Sequence, residues 1–252
     1  HGNPENVFPD EATQTGQYRR LSSGGASVQS PVWRIPPATD RFWWVRIRGD
    51  ATVKLETHKN EATIAAQEIA IQSSEWQWIR HDIPQTEDFG PVQLSLTILS
   101  GTIDADYGLL TMGHWPGMEQ ETQQWTLLAA DFFRAGVSET ETHSVSLRPA
   151  YEVQGRIFYG PRLPLAAGLY DITLHTSSSA PEGTLLGEWQ ITGRGHSAPD
   201  RQEVRAGQAS RIRWHQTHTL PVEVDFSYNR AAETTLQKVV FERILNTEGG
   251  TL

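Results

Sequence analysis

The residues that could do chemistry in this chain are a pair of aspartates, a pair of histidines, and a tyrosine close to an arginine. Asp104 and Asp106 stand two apart in the alternating run Thr102–Met112, a spacing that puts both carboxylates on one side of a strand. Two like charges so placed raise a pKa, which an acid–base pair for glycoside hydrolysis would use. The same oxygens also suit a polar outer face or a structural calcium. His215 and His218 flank Gln216-Thr217 beside Trp214, but no third ligand is identifiable nearby to complete a zinc site, so they read as surface histidines at a strand end. A serine nucleophile on a G-x-S-x-G turn is absent, and Gly160–Arg162 and Gly193–Gly195 match no phosphate loop because no Lys-Ser/Thr follows. What remains is recognition chemistry. A pyranose presents an apolar C–H face to an aromatic ring and hydroxyls to polar side chains. Tyr159, Arg162, Trp189 and Trp214 lie in one half of the chain and are the candidate carbohydrate-binding residues. For Tyr159-Gly160-Pro161 a second role is open, that of shaping a sheet edge, with Gly160 giving backbone freedom and Pro161 ending the pairing.

These residues need a scaffold, and composition says which kind. In 252 residues there are 21 Gly and 14 Pro, with 37% hydrophobic residues. Short half-buried strands joined by frequent turns explain that balance better than long buried helices. Nine Trp is a high count, and five of them fall between Trp33 and Trp78; each ring is either sandwich core or an exposed sugar platform. A net charge of −9 with no acidic run excludes nucleic acid and anionic membrane surfaces as partners. The absence of Cys removes disulfides, thiolate metal sites and Cys nucleophiles together, without deciding the compartment. No apolar segment approaches the roughly 18 residues that a membrane-spanning helix needs. The chain starts at His1 without an initiator Met, which suits a processed form or the remnant of a cleaved tag.

Alternating runs recur along both halves. The first holds 42–49, 52–58, 75–84, 91–99 and 102–112; the second holds 156–159, 169–175, 187–192, 209–216, 221–228 and 236–244. PVQLSLTIL (91–99) and PVEVDFSY (221–228) correspond most closely, and in each half such a run precedes a polar turn and a last alternating strand. The pattern predicts an all-β protein of two antiparallel, jelly-roll-like β-sandwiches in tandem, over residues 1–116 and 117–252, joined through the Gly113–Trp125 stretch. Glu61–Ile69 and Thr126–Ala135 are the only helix candidates, and 246–252 reads as a frayed tail.

The run Gly155–Leu174, GRIFYGPRLPLAAGLYDITL, resembles the accessory β-sandwich modules attached to bacterial polysaccharide glycosyltransferases and related cell-surface glycan proteins, through its Tyr-Gly-Pro turn and the L-x-x-G-x-Y pattern that follows. Arg162 stands where that motif commonly carries a second aromatic residue. The first half, through Gly101–Leu110, resembles jelly-roll carbohydrate-binding modules. These resemblances imply a non-catalytic, glycan-docking protein of a bacterial polysaccharide or envelope system, extracellular, at the envelope, or in a membrane-associated cytoplasmic complex. A partner enzyme domain would then be held close to its substrate, with no cofactor unless a structural calcium. The alternative from another class is a structural or protein-interaction spacer. His1 also invites comparison with lytic polysaccharide monooxygenases, which hold copper through an N-terminal His and a second His; His114, His143 and His196 are the candidates for the second ligand, although nothing after Gly2 matches those enzymes.

Overall fold

The computed structural model describes residues 7–24, 26–35, 40–85, 90–113, 115–119, 121–193 and 200–245. They form an all-β protein of two compact units, His1–Trp115 and Pro116–Leu252. His1, His114, His196 and the tail 246–252 lie outside the described residues.

The first unit is a seven-stranded antiparallel sheet of β1 (Val7–Pro9), β2 (Gln17–Ser22), β3 (Ser27–Gln29), β4 (Trp33–Ile35), β5 (Arg41–Lys59), β6 (Ala62–Ile83) and β7 (Gly90–Met112). The order is β1-β2-β7-β5-β6, with β3 and β4 also edging β7. The alternating runs at 42–49 and 52–58 are one continuous strand, as are those at 91–99 and 102–112. What reads as a break is a bend. Gly49 and Gly101 cross so closely that a Cβ on Gly101 would lie 2.1 Å from the Asp50 carbonyl oxygen, and the register slips beside them. The sheet folds back here and buries Trp43, Val45 and Ile47 in one core with Val53, Leu55 and Leu96. Leu96 pairs with Leu55. A dozen residues separate Leu55 from Trp43 along β5, about 40 Å in a straight strand. Yet Trp43 and Leu96 line a common cavity, which only a folded-over sheet allows.

Glu61–Ile69, a helix candidate in the sequence, is a turn residue, Glu61, followed by the start of β6. Asn60 and Glu61 both adopt positive φ, 50° and 68°, and close a two-residue hairpin in which Lys59 pairs with Ala62. Seventeen further pairs to β5 override the helical preference of Ala65-Ala66.

The second unit stacks two sheets. One has six strands, β8 (Gln124–Leu128), β10 (Val137–Glu139), β11 (Ser144–Leu147), β13 (Gly168–Ser178), β16 (Ser210–Gln216) and β18 (Thr234–Ile244). The other has five, in the order β15 (Asp200–Arg205), β14 (Leu185–Gly193), β17 (Leu220–Tyr228), β12 (Gly155–Leu165) and β9 (Phe133–Arg134). Thr126–Ala135 is likewise not an α-helix: it is the end of β8, one 3₁₀ turn and β9. Gly160-Pro161 does not reverse the chain either. β12 runs through it with a bulge, Gly160 opposite Val224 and Leu163 opposite Val222, and Gly160 at φ 88°. Pro161 has no N–H to lose, and β9 pairs with β12 only at Phe158 and Tyr159. On the buried face of the six-stranded sheet, Trp125 stacks on Phe241 at 5.2 Å and meets Tyr170 edge-on at 6.0 Å.

Candidate functional site

The two candidate tryptophans are core. Trp189 on β14 and Trp214 on β16 are each 0% exposed, and both indole N–H groups are satisfied internally. Trp189 Nε1 donates to Ser210 Oγ at 2.7 Å, and Trp214 Nε1 donates to Gln216 Oε1 at 2.8 Å. A ring with no accessible face cannot stack on a sugar, so both are removed from the binding set. Alternation along β14 is intact, with Trp189 inward and Gln190 outward; the sequence did not say which side meets the second sheet.

Tyr159 and Arg162 lie on the outer face of the five-stranded sheet, which carries a ladder of polar and aromatic side chains. Pairing places Phe133, Tyr159, Asp225, Gln190 and Arg201 opposite one another across β9, β12, β17, β14 and β15. Phe133 and Tyr159 stack with centroids 5.6 Å apart and planes 27° from parallel, and they are 63% and 39% exposed. Gly160 makes this arrangement available: a Cβ there would come within 3.0 Å of Phe133 Cδ2, so the bare backbone lets the ring lie down. The Arg156 guanidinium sits 4.4 Å from the Tyr159 centroid. Arg156 donates to Asp225 at 2.5 Å and also to Glu223, which accepts from Arg162 as well. Gln190 Nε2 donates to the other Asp225 oxygen at 3.3 Å. Tyr159 and Arg162 are therefore joined through Arg156 and Glu223, beside a flat, solvent-facing phenyl ring that the sequence reading did not select. Its signal was the Phe132-Phe133 doublet: on a strand only one of two neighbours faces the core, and here Phe132 is buried against Phe158 at 4.4 Å while Phe133 is left outside.

The first unit has a richer cluster in a different condition. Asp104 accepts from Arg20 at 2.8 Å and from Arg48 at 3.2 Å. Asp106 falls at a bulge, since Arg46 pairs with Tyr107 and Ile47 with Ala105; it accepts from Arg46 at 2.6 Å and from the Gln14 backbone N–H at 3.0 Å. Burial pushes the Asp106 carboxyl up against the pull of Arg46 and Gln14, and the same burial pulls the Arg46 guanidinium down. Aromatic faces are taken too: Arg48 lies 4.5 Å from the Trp76 ring and 5.0 Å from Tyr18, and Arg20 lies 4.9 Å from Phe8. The aspartate pair is thus neither an open acid–base pair nor a ready calcium cradle, because its oxygens already hold guanidinium and amide hydrogens.

Among the described residues no group of three or more His, Asp or Glu side chains is placed to hold a metal ion. His143 sits at φ 52° in the β10–β11 turn, and His215 and His218 are exposed at and beyond the end of β16. No helix among the described residues is long and apolar enough to cross a membrane.

No protein-family model matches the chain, and no curated protein sequence matches it. Solved structures that overlay on it include the tandem CBM22 pair at the N-terminus of Xyn10C from Paenibacillus barcinonensis, at 10% identity and TM-score 0.32, covering 94% of this chain and 89% of that one. A Paenibacillus xanthan lyase overlays at 12% identity and TM-score 0.35, covering 95% of this chain and 25% of the lyase. The insecticidal delta-endotoxin Cry8Ea1 of Bacillus thuringiensis overlays at 8% identity and TM-score 0.33, covering 82% of this chain and 42% of the toxin. Likeness of that order carries no argument about ligand or activity.

Proposed function

We propose that this is a non-catalytic carbohydrate-binding β-sandwich protein, in which the outer face of the five-stranded sheet docks a glycan. The observation that carries the reading is the exposed Phe133–Tyr159 stack, set in register with Asp225, Gln190 and Arg201. The phenyl face supplies the apolar platform, and Arg156, Arg162 and Gln190 supply donors for hydroxyl or ring oxygens. The row crosses five strands. At about 4.8 Å per strand it spans roughly 20 Å, room for several sugar units of a chain rather than one. The wider setting we propose is a bacterial polysaccharide or envelope glycan system, in which the protein holds a partner enzyme near its polymer.

A glycan array read with the intact chain and with Phe133→Ala and Tyr159→Ala tests this. The intact chain should retain a defined set of glycans, and Phe133→Ala should weaken them by roughly tenfold, the equivalent of about 1.4 kcal/mol of stacking. Folded protein that retains no glycan would favour the other reading, a structural or protein-interaction spacer.

A further inference from the structure

The first unit contains a cavity of about 380 Å³ between the two folded-over halves of its sheet. Its walls include Leu21, Val28, Trp43, Val45 and Leu96, all but Val28 among the buried core residues, and Arg19 lines it as well. The volume lies at the low end of the range for small-molecule sites. Arg19 is the unusual member. It pairs with Val7 on one side and Ala105 on the other, two positions away from buried Leu21, so it belongs to the row that faces the core. Its neighbour Arg20 points the other way and holds Asp104. Arg20, Arg46 and Arg48, on the opposite side of this sheet, are each bonded to a carboxylate. Arg19 makes no side-chain hydrogen bond or ion pair among the described residues, and both residues flanking it across the sheet are apolar. Asp106 also borders the cavity, but its oxygens are occupied by Arg46 and Gln14.

An unpaired guanidinium at an apolar cavity has a defined complement: one planar anionic head, which the guanidinium fork meets with two parallel hydrogen bonds, on a short hydrocarbon or aromatic body. We propose that this cavity is a binding site for a small amphipathic carboxylic acid, with the carboxylate on Arg19 and the apolar body against Trp43 and Leu96. The site is separate from the glycan platform and does not depend on it.

Calorimetric titration of the full chain with octanoate and with octanol tests the proposal. Octanoate should bind saturably at one site, with octanol roughly tenfold weaker because it lacks the charge. Arg19→Gln should bring octanoate down to the level of octanol and leave octanol unchanged. Gly108→Leu should abolish both, since Gly108 lines the cavity and a Cβ there would already lie 3.4 Å from Trp43 Nε1. Should that variant fail to fold, amide shifts on octanoate addition to the intact chain must centre on Arg19 and Gly108. Absence of saturable octanoate binding at millimolar concentration, shifts centred elsewhere, or an octanoate affinity untouched by Arg19→Gln would overturn it.

Discussion

The two units treat the same residue types in opposite ways. On the first, Phe8, Tyr18 and Trp76 are interleaved with Arg20, Arg46 and Arg48, and each guanidinium is shared between a ring and an aspartate. On the second, Arg156 and Arg162 are also paired with acids, yet Phe133 keeps most of its surface in water. Aromatic, arginine and carboxylate side chains are the vocabulary of sugar recognition in both places. Only where their mutual contacts leave a ring face unspent can a ligand take part. Saturation, and not residue type, separates the structural cluster of the first unit from the platform proposed on the second.

The comparison can be broken most forcefully at the core ring. Trp189→Ala should cost about 3–5 kcal/mol of stability, because it leaves a cavity and takes from the Ser210 hydroxyl the donor it accepts from, leaving only its own bond to the Glu203 carbonyl. If urea denaturation instead finds a small loss, the separation of core ring from platform ring, Trp189 from Phe133, fails. In the first unit, Asp106→Ala should cost a similar about 3–5 kcal/mol by stranding buried Arg46, whereas the double change Arg46→Met, Asp106→Leu should be far milder. A double variant as unstable as the single one would show that packing, and not the stranded charge, governs that site. On the platform, Gly160→Ala should cost about 1–2 kcal/mol, since the residue is held at φ 88°. Because the new methyl lifts Phe133, glycan affinity should fall with it; a variant that loses stability but not affinity would detach the ring from binding. Phe133→Ala should change stability by less than about 1 kcal/mol while weakening glycan binding roughly tenfold. The smallest effect is on pH. Burial holds the His81 imidazole below its ordinary 6.5, so the folded state resists protonation and stability falls as pH drops below that value. The slope should not exceed about 1.4 kcal/mol per pH unit, and denaturation of His81→Gln at pH 7 and pH 5 should show it flattened.

The all-β class was legible because side-chain alternation follows directly from strand geometry, and β13, β14, β16, β17 and β18 fall where the pattern placed them. Strand count in the first unit was not. A bend at Gly49 or Gly101 and a true turn look alike along a chain, since the pairing that keeps a bent strand continuous is made by residues far away. The same reason hid the roles of Trp189 and Trp214: period two assigns residues to two faces but leaves open which face meets the other sheet. Tyr159 and Arg162 were found by residue type, and Phe133 was missed because the short segment around it has too few residues to show any period.

Strand β18 pairs with β8, β11 and β13, so the middle of the six-stranded sheet is supplied by the residues synthesised after all the other strands of that unit. The β5–β6 hairpin, by contrast, closes over two residues, and the other partner of β5, β7, is the next strand to be made. During translation the first unit can therefore mature while the second waits, its apolar sheet faces uncovered, until Thr234–Ile244 clears the ribosome. A nascent chain stalled before Thr234 should stay protease-sensitive throughout its second unit and call on chaperones that the released protein no longer needs.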